Sequence, residues 1–344
     1  MDLTTLPHLL ARQDASSSTN TNISDPLSPL FNSTGTVYND TTLQYCLHIT
    51  PSCPVTETIY GYYPSLGFNA FALSIFSICL IAQVVLGIRH RTWTYLIALF
   101  FGCLGEALGY AGRVMLHENP WDELGFQIQI CCLIISPAFV AAGVYLTLKH
   151  IVIELSPSLS FLKPRLYTWI FILCDILSLV LQGAGGGIAA TADRGTDMVD
   201  VGNNLMMAGI VWQVVTLLVF WGLCTAYWYR LHTHKSSLSA NAIALMESRR
   251  FIFFYTCMVV AFTGIFARCV YRIAEMSQGW ASDIMQDEAG FIALEGVMIL
   301  IAVIALTVAH PGVVFPEMQR HVVKGWTGRT EEEKEVEDAE SGGK

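Results

Sequence analysis

Seven apolar stretches, each long enough to cross a bilayer, occupy the chain between Ser65 and His310. A hydrocarbon core of roughly 30 Å is spanned by about 20 helical residues. The stretches fall at 65–88, 93–115, 126–148, 166–190, 203–229, 251–275 and 289–310. Lipid offers the backbone no hydrogen-bond partner, so each must satisfy its own amides and carbonyls as a helix. The fold class expected is all-α: a polytopic membrane protein of seven transmembrane helices. With 53% hydrophobic and only 14% charged residues, the chain has no room for a sizeable soluble domain.

Basic residues set the expected orientation. Fourteen of the nineteen lysines and arginines fall in alternate loops and the C-terminal tail, from Arg89 and Arg91 through Lys149, Lys163 and Arg165 to Arg230, Lys235, Arg249 and Arg250. Only Arg12 and Arg194 lie in the opposite segments. By the positive-inside rule the N-terminus is expected outside and the C-terminus in the cytoplasm. The tail agrees independently, because it holds three N-glycosylation acceptor patterns, at Asn22, Asn32 and Asn39, and none occurs later. No basic segment followed by an apolar one precedes it, so the first helix is expected to translocate the tail itself. Three units follow: an extracellular tail over 1–64, glycosylated and partly disordered; a seven-helix domain over 65–310; and an acidic cytoplasmic tail over 311–344.

The formal charge of −9 is a poor guide to partners, since seven acids crowd the Glu331–Glu340 run. No basic stripe supports nucleic-acid binding. Of ten cysteines only Cys46 and Cys53 lie in an external segment, where either a bridge or two free thiols would be chemically permitted. The other eight sit in helices, where small apolar packing explains them.

Ionisable groups inside spanning helices cost about 2.5–3.5 kcal/mol on insertion scales, and here they are not scattered. Glu106, Gly109, Tyr110 and Arg113 share one face of the second helix, and Arg268, Tyr271, Arg272 and Glu275 repeat that spacing on the sixth. The fourth carries Asp175, Ser178 and Gln182 on one stripe, and the seventh carries Glu295. Four acids stand against three arginines. The inference is a polar cavity opening outward, lined by helices two, four, six and seven, with charge pairing that merely fixes helix packing as the competing explanation. Gly105 with Gly109, and Gly183 with Gly187, have the spacing that lets helices approach closely. The glycine run after Gln182 would also loosen the fourth helix, as in discontinuous transporter helices.

These ordered faces resemble the fungal lipid-translocating exporter family, the RTA-like seven-span membrane proteins. The resemblance rests on Tyr63-Pro64 with Asn69, on Glu106-Ala-Leu-Gly-Tyr110-Ala-Gly-Arg113, and on Pro137 with Tyr145. It continues with Asp175-Ile-Leu-Ser178-Leu-Val-Leu-Gln182, Gly209 with Gln213, Arg268-Cys-Val-Tyr271-Arg272-Ile-Ala-Glu275 and His310-Pro-Gly312. It covers about Tyr60 to Val314 and implies an acid at Glu295, often Asp. The family implies export or transbilayer movement of amphipathic lipids and resistance to toxic lipid-like compounds. Sphingoid long-chain bases are the substrate class of the branch whose glycosylated external N-terminus this chain is similar to.

Other classes fit less well. A seven-helix receptor of the common type needs a cysteine in the 191–202 loop, an Asp-Arg-Tyr ending on the third helix and an Asn-Pro-x-x-Tyr pattern on the seventh; none is present. A lipid-sensing receptor of another type stays open as the alternative. An intramembrane metal hydrolase wants inward histidines, whereas His90, His117, His150, His232, His234 and His310 lie at helix ends or in loops. No phosphate-binding G-x-x-x-x-G-K-[ST] loop supports an ATP-driven pump. No cofactor and no metal are expected. Any active export is then expected to draw on a proton or lipid gradient, with Asp175, Glu106 and Glu295 as candidate carriers.

Overall fold

The computed structural model describes residues 46–314, apart from 51–52, 162, 192–196, 236–237 and 279–281. The acceptor sites Asn22, Asn32 and Asn39 and the acidic run lie outside the described residues. Among the described residues seven helices are long and apolar enough to cross a membrane. They are α1 (Leu66–Arg89), α2 (Trp93–Glu118), α3 (Glu123–Leu155), α4 (Pro164–Thr191), α5 (Asp197–Thr233), α6 (Arg249–Ser277) and α7 (Glu288–Val313). Within α7 the turns over Phe291–Val297 widen to a π-helix before the α-helical Met298–Val308. The described residues contain no β-strand beyond a single bridge between Thr50 and Cys53.

Two helices outrun the apolar stretches that mark them, α3 with 33 residues and α5 with 37. Hydropathy marks only the part soluble in hydrocarbon, whereas helical hydrogen bonding propagates until a cap or a breaker stops it. Asp122 starts α3 by accepting from the amides of Leu124 and Gly125 at 3.3 and 3.2 Å. Its end is set at Ser156, which Pro157 forces into an extended conformation. Ser248 starts α6 in the same way, accepting from Phe251 at 3.2 Å.

Short links make sequence neighbours pack against one another, and α7 closes the bundle against α1 and α6. In addition α3 crosses to touch α6. That crossing brings the polar faces of α2, α3, α6 and α7 together. Large aliphatic and aromatic side chains such as Ile78, Ile81, Val85, Trp169 and Val180 are left exposed around the outside. An apolar surface this continuous suits a hydrocarbon solvent and not water.

The glycines divide differently from their spacing. Gly109 packs α2 on α3, where an added Cβ would lie 2.5 Å from Leu133. On α4, however, a Cβ at Gly183 or Gly187 would meet nothing within 4 Å, and the helix continues unbroken to Thr191. The close approach is made by Gly185 instead, whose Cβ would fall 2.6 Å from the Gly202 carbonyl on α5. Neither the spaced pair nor a broken helix is therefore what the run provides. Gly185→Leu should drive α4 from α5 and destabilise the protein by about 1–3 kcal/mol or more. Gly183→Ala should be neutral or slightly stabilising, by up to roughly 1 kcal/mol, through helix propensity. Thermal unfolding of the detergent-purified variants checks both, and equal melting temperatures would refute the assignment of the contact.

Candidate functional site

Arg268, on α6, is the centre of the polar interior and is 1% exposed. Its Nη1 donates to Glu106 Oε1 on α2 at 3.0 Å, and its Nη2 donates to Glu295 Oε1 on α7 at 2.7 Å. The same Nη2 reaches the Leu133 carbonyl on α3 at 2.5 Å. That carbonyl is free for a reason written in the sequence. Pro137 stands four residues later and has no N–H to donate back, so Leu133 loses its helical partner. Ser136 adds its hydroxyl, 2.8 Å from both Glu106 Oε1 and the Gly102 carbonyl. The wide turns of α7 carry Glu295 itself, so the register of this acid departs from the 3.6-residue period.

Arg113, also fully buried, is held in another manner. Its Nε donates to Asn69 Oδ1 and one Nη to the Tyr62 hydroxyl, both at 3.2 Å. The guanidinium lies 3.8 Å from the Phe291 ring centre and 5.3 Å from that of Tyr60. No carboxylate lies within ion-pairing distance of it among the described residues. Burial pushes the Tyr60 and Tyr62 hydroxyls upward against the pull of Arg113, so both rings stay neutral. Arg113 does not snorkel to the interface. The segment that covers it is closed on itself by a Cys46–Cys53 disulfide, with Cα atoms 5.8 Å apart, and is fixed to α3 by Gln129 donating to the Tyr60 hydroxyl at 2.7 Å. The Ser65 amide donates to Glu288 at 2.5 Å beside it.

The remaining expected residues sort into four places. Arg272 and Glu275 pair with each other at 2.5 Å, one turn apart on α6. Tyr110 packs by stacking on Phe76, with ring centres 5.5 Å apart, and its hydroxyl has no partner among the described residues. Gln182 donates to Gln213 on α5 at 3.4 Å. Asp175 is 3% exposed and stands away from the arginines, facing Tyr145.

The expected cavity needs correction. The charged faces of α2, α6 and α7 close directly on one another, and residues 54–63 cover the end beside Arg113. A small space is found one layer away. It is lined by Leu133, Pro137, Gln182, Gln213, Arg268 and Arg272, from α3, α4, α5 and α6, and leaves about 20 Å³ to a water-sized sphere. That is room for about one water molecule. Helices two and seven do not line it, because their acids are consumed by Arg268. Among the described residues no group of three His, Cys, Asp or Glu side chains has metal-binding geometry.

Residues 99–318 match the family described as RTA1 like protein. The chain belongs to that family. It is 32% identical over 290 residues to the sphingoid long-chain base transporter RSB1 of Saccharomyces cerevisiae (strain Lalvin EC1118 / Prise de mousse), covering 76% of this chain and 75% of the relative. It is 29% identical over 213 residues to protoporphyrin uptake protein 1 of Saccharomyces cerevisiae (strain ATCC 204508 / S288c), covering 62% and 67%. Protein RTM1 of Saccharomyces cerevisiae is 28% identical over 223 residues, covering 64% and 68%. No solved structure matches the chain. The relatives bearing functional names are named as transport or uptake proteins, consistent with a non-enzymatic role. The RTA1-like stretch contains all nine expected site residues, while Asn69, Tyr60 and Tyr62 precede it.

Tyr60, Tyr62, Phe291 and Ser136 are the contributors that reading the sequence missed. Phe291 was findable, four residues before Glu295 and so on its face. Tyr60 and Tyr62 lie outside the spans and gave no periodic signal. Arg268→Ala should be the most damaging single change here, by about 3–5 kcal/mol, because it strands two buried carboxylates. Glu106→Gln keeps the shape and the Ser136 contact and should cost less. Melting temperatures of the purified variants in detergent provide the check.

Proposed function

We propose that this protein is a transporter that exports or translocates amphipathic lipids, sphingoid long-chain bases or related toxic lipid-like compounds, across the plasma membrane. The observation that carries the reading is identity spread over three quarters of the chain with a relative named as a sphingoid long-chain base transporter. A space for about one water cannot take in a long alkyl chain. On this reading only the polar headgroup enters the bundle, between α3, α4, α5 and α6, while the chain stays in the bilayer. Gln182, Gln213, Asp175, Arg268 and Arg272 then supply the polar groups that replace headgroup hydration. Opening requires the helices to separate, and the ion pairs of Arg268 are contacts that must be kept or exchanged as they do.

The orientation belongs to the same proposal: N-terminus outside, C-terminus cytoplasmic, with Asn22, Asn32 and Asn39 glycosylated. It is supported by the alternation of basic loops. Treatment with an N-glycosidase should increase the gel mobility of the wild-type protein and leave the triple Asn→Gln variant unchanged. No mobility change in the wild type would refute the external tail.

Release of a labelled sphingoid base should be several-fold faster from cells overproducing the protein than from cells lacking it. Uptake of the same panel of amphiphiles tests direction, which matters because one relative is named for uptake. At equal surface abundance, Asp175→Asn and Arg272→Ala should each lower release at least several-fold. Normal release by both would overturn the site. If purified protein fails to accelerate lipid movement in liposomes while still binding the lipid, the protein is a lipid-sensing receptor instead.

A further inference from the structure

The buried charges leave one acid over. Arg113, Arg268 and Arg272 gather at one end of the bundle with Glu106, Glu275 and Glu295, each of which feels at least one of these arginines. By formal charge these three arginines and three glutamates cancel, with the ion pairs of this group among the described residues made by Arg268 and Arg272. Asp175 is the fourth acid. No Lys, Arg or His nitrogen lies within 4 Å of it among the described residues. Tyr145 faces it from α3 and Cys269 from α6, with Cys224 of α5 beside Tyr145. The Tyr145 hydroxyl is the hydrogen-bonding neighbour of the Asp175 carboxyl, and no cationic side chain pairs with either Asp175 oxygen among the described residues.

A lone carboxylate at such a position is costly by several kcal/mol, so an unoccupied site holds the acid in its protonated form. The surroundings suit a particular replacement for that proton. Tyr145 belongs to an aromatic cluster with Phe171 and Phe220, ring centres 5.5 and 4.6 Å away. Aromatic faces favour an organic cation over a strongly hydrated metal ion. Ser178 and Gln182 lead along α4 from Asp175 to the small cavity, and Cys269 borders both. A headgroup reaching the cavity is therefore about two helical turns from the acid.

We propose that Asp175 is an exchange site that holds either a proton or the primary ammonium group of an amphipathic amine, never both. In the exchange the Asp175 O–H bond breaks and its proton passes to water. The carboxylate then pairs with the R–NH3+ group, whose N–H groups donate to Oδ1 and Oδ2. Departure of the amine reverses the step. The site is electrically neutral in both loads, so neither leaves an uncompensated charge in the membrane. This deepens the transport reading, since each amine carried one way would return a proton the other way.

The test uses the whole purified protein in detergent and weak buffer, with sphingosine as probe and N-acetylsphingosine as its uncharged counterpart. About one proton should be released per sphingosine bound, and none with the N-acetyl compound. Raising the pH should tighten sphingosine binding by up to tenfold per pH unit while Asp175 is protonated. Asp175→Asn should abolish both effects. Should that variant fail to fold, dicyclohexylcarbodiimide labelling of the wild type serves instead. Asp175 should be modified at neutral pH and protected by sphingosine but not by N-acetylsphingosine, as read by peptide mass spectrometry. Sphingosine binding without proton release, or labelling at Asp175 that sphingosine leaves unchanged, would overturn the proposal. Transport in liposomes without proton release would sink the exchange site and leave the transport reading standing. Proton release without transport would do the reverse.

Discussion

A single guanidinium organises the membrane interior of this protein. Arg268 ties α6 to α2 through Glu106, to α7 through Glu295, and to α3 through the Leu133 carbonyl. In hydrocarbon there is no hydrophobic drive to bring helices together, so such contacts and close packing must do it. The arrangement depends on a backbone defect. Without Pro137 the Leu133 carbonyl would also accept a helical N–H, and Arg268 would have to share one of its three acceptors. Pro137, an apparent flaw in α3, thereby becomes a means of fastening α6.

The other two arginines solve the same problem by different means. Arg272 pairs locally with Glu275, which requires nothing from the rest of the fold beyond burial. Arg113 depends on a segment that is not part of any span, since Tyr60 and Tyr62 arrive from the covered end and Phe291 from α7. Its partners are neutral, so that end of the bundle is held by aromatic faces and hydrogen bonds in place of an ion pair. The disulfide between Cys46 and Cys53 lies in this same segment.

The space between α3, α4, α5 and α6, with room for about one water, places a constraint on any mechanism of movement that uses it. Among the described residues, that space is too small for a whole lipid molecule. On the proposed transport reading, passage of a headgroup demands a second arrangement of the helices, and the groups that hold the present one become those a substrate must compete with. On that same reading, the pairing of charges within α2, α6 and α7 leaves the α3–α6 side for a polar headgroup. Asp175 lies on that side with no partner of opposite charge among the described residues, and the exchange proposed for it rests on that difference from the acids around Arg268.

The membrane class, the number of spans and the helices that bear charge were all legible in the linear chain. Apolar length reports directly on bilayer thickness, and helical spacing reports on faces. Where the helices stop was less legible, because hydropathy is silent on polar residues that continue α3 and α5. Which acid pairs with which arginine was not legible at all: Glu106 and Arg268 are 162 residues apart, and only helix packing brings them together. Packing likewise turned a supposed open cavity into a closed cluster and separated Asp175 from the arginines it had been counted with. It also moved the close α4–α5 contact from Gly183 and Gly187 to Gly185. Composition and periodicity are local properties and determine what each rod is; the pairing of buried charges is a property of three-dimensional distance, and the tertiary structure alone decided it.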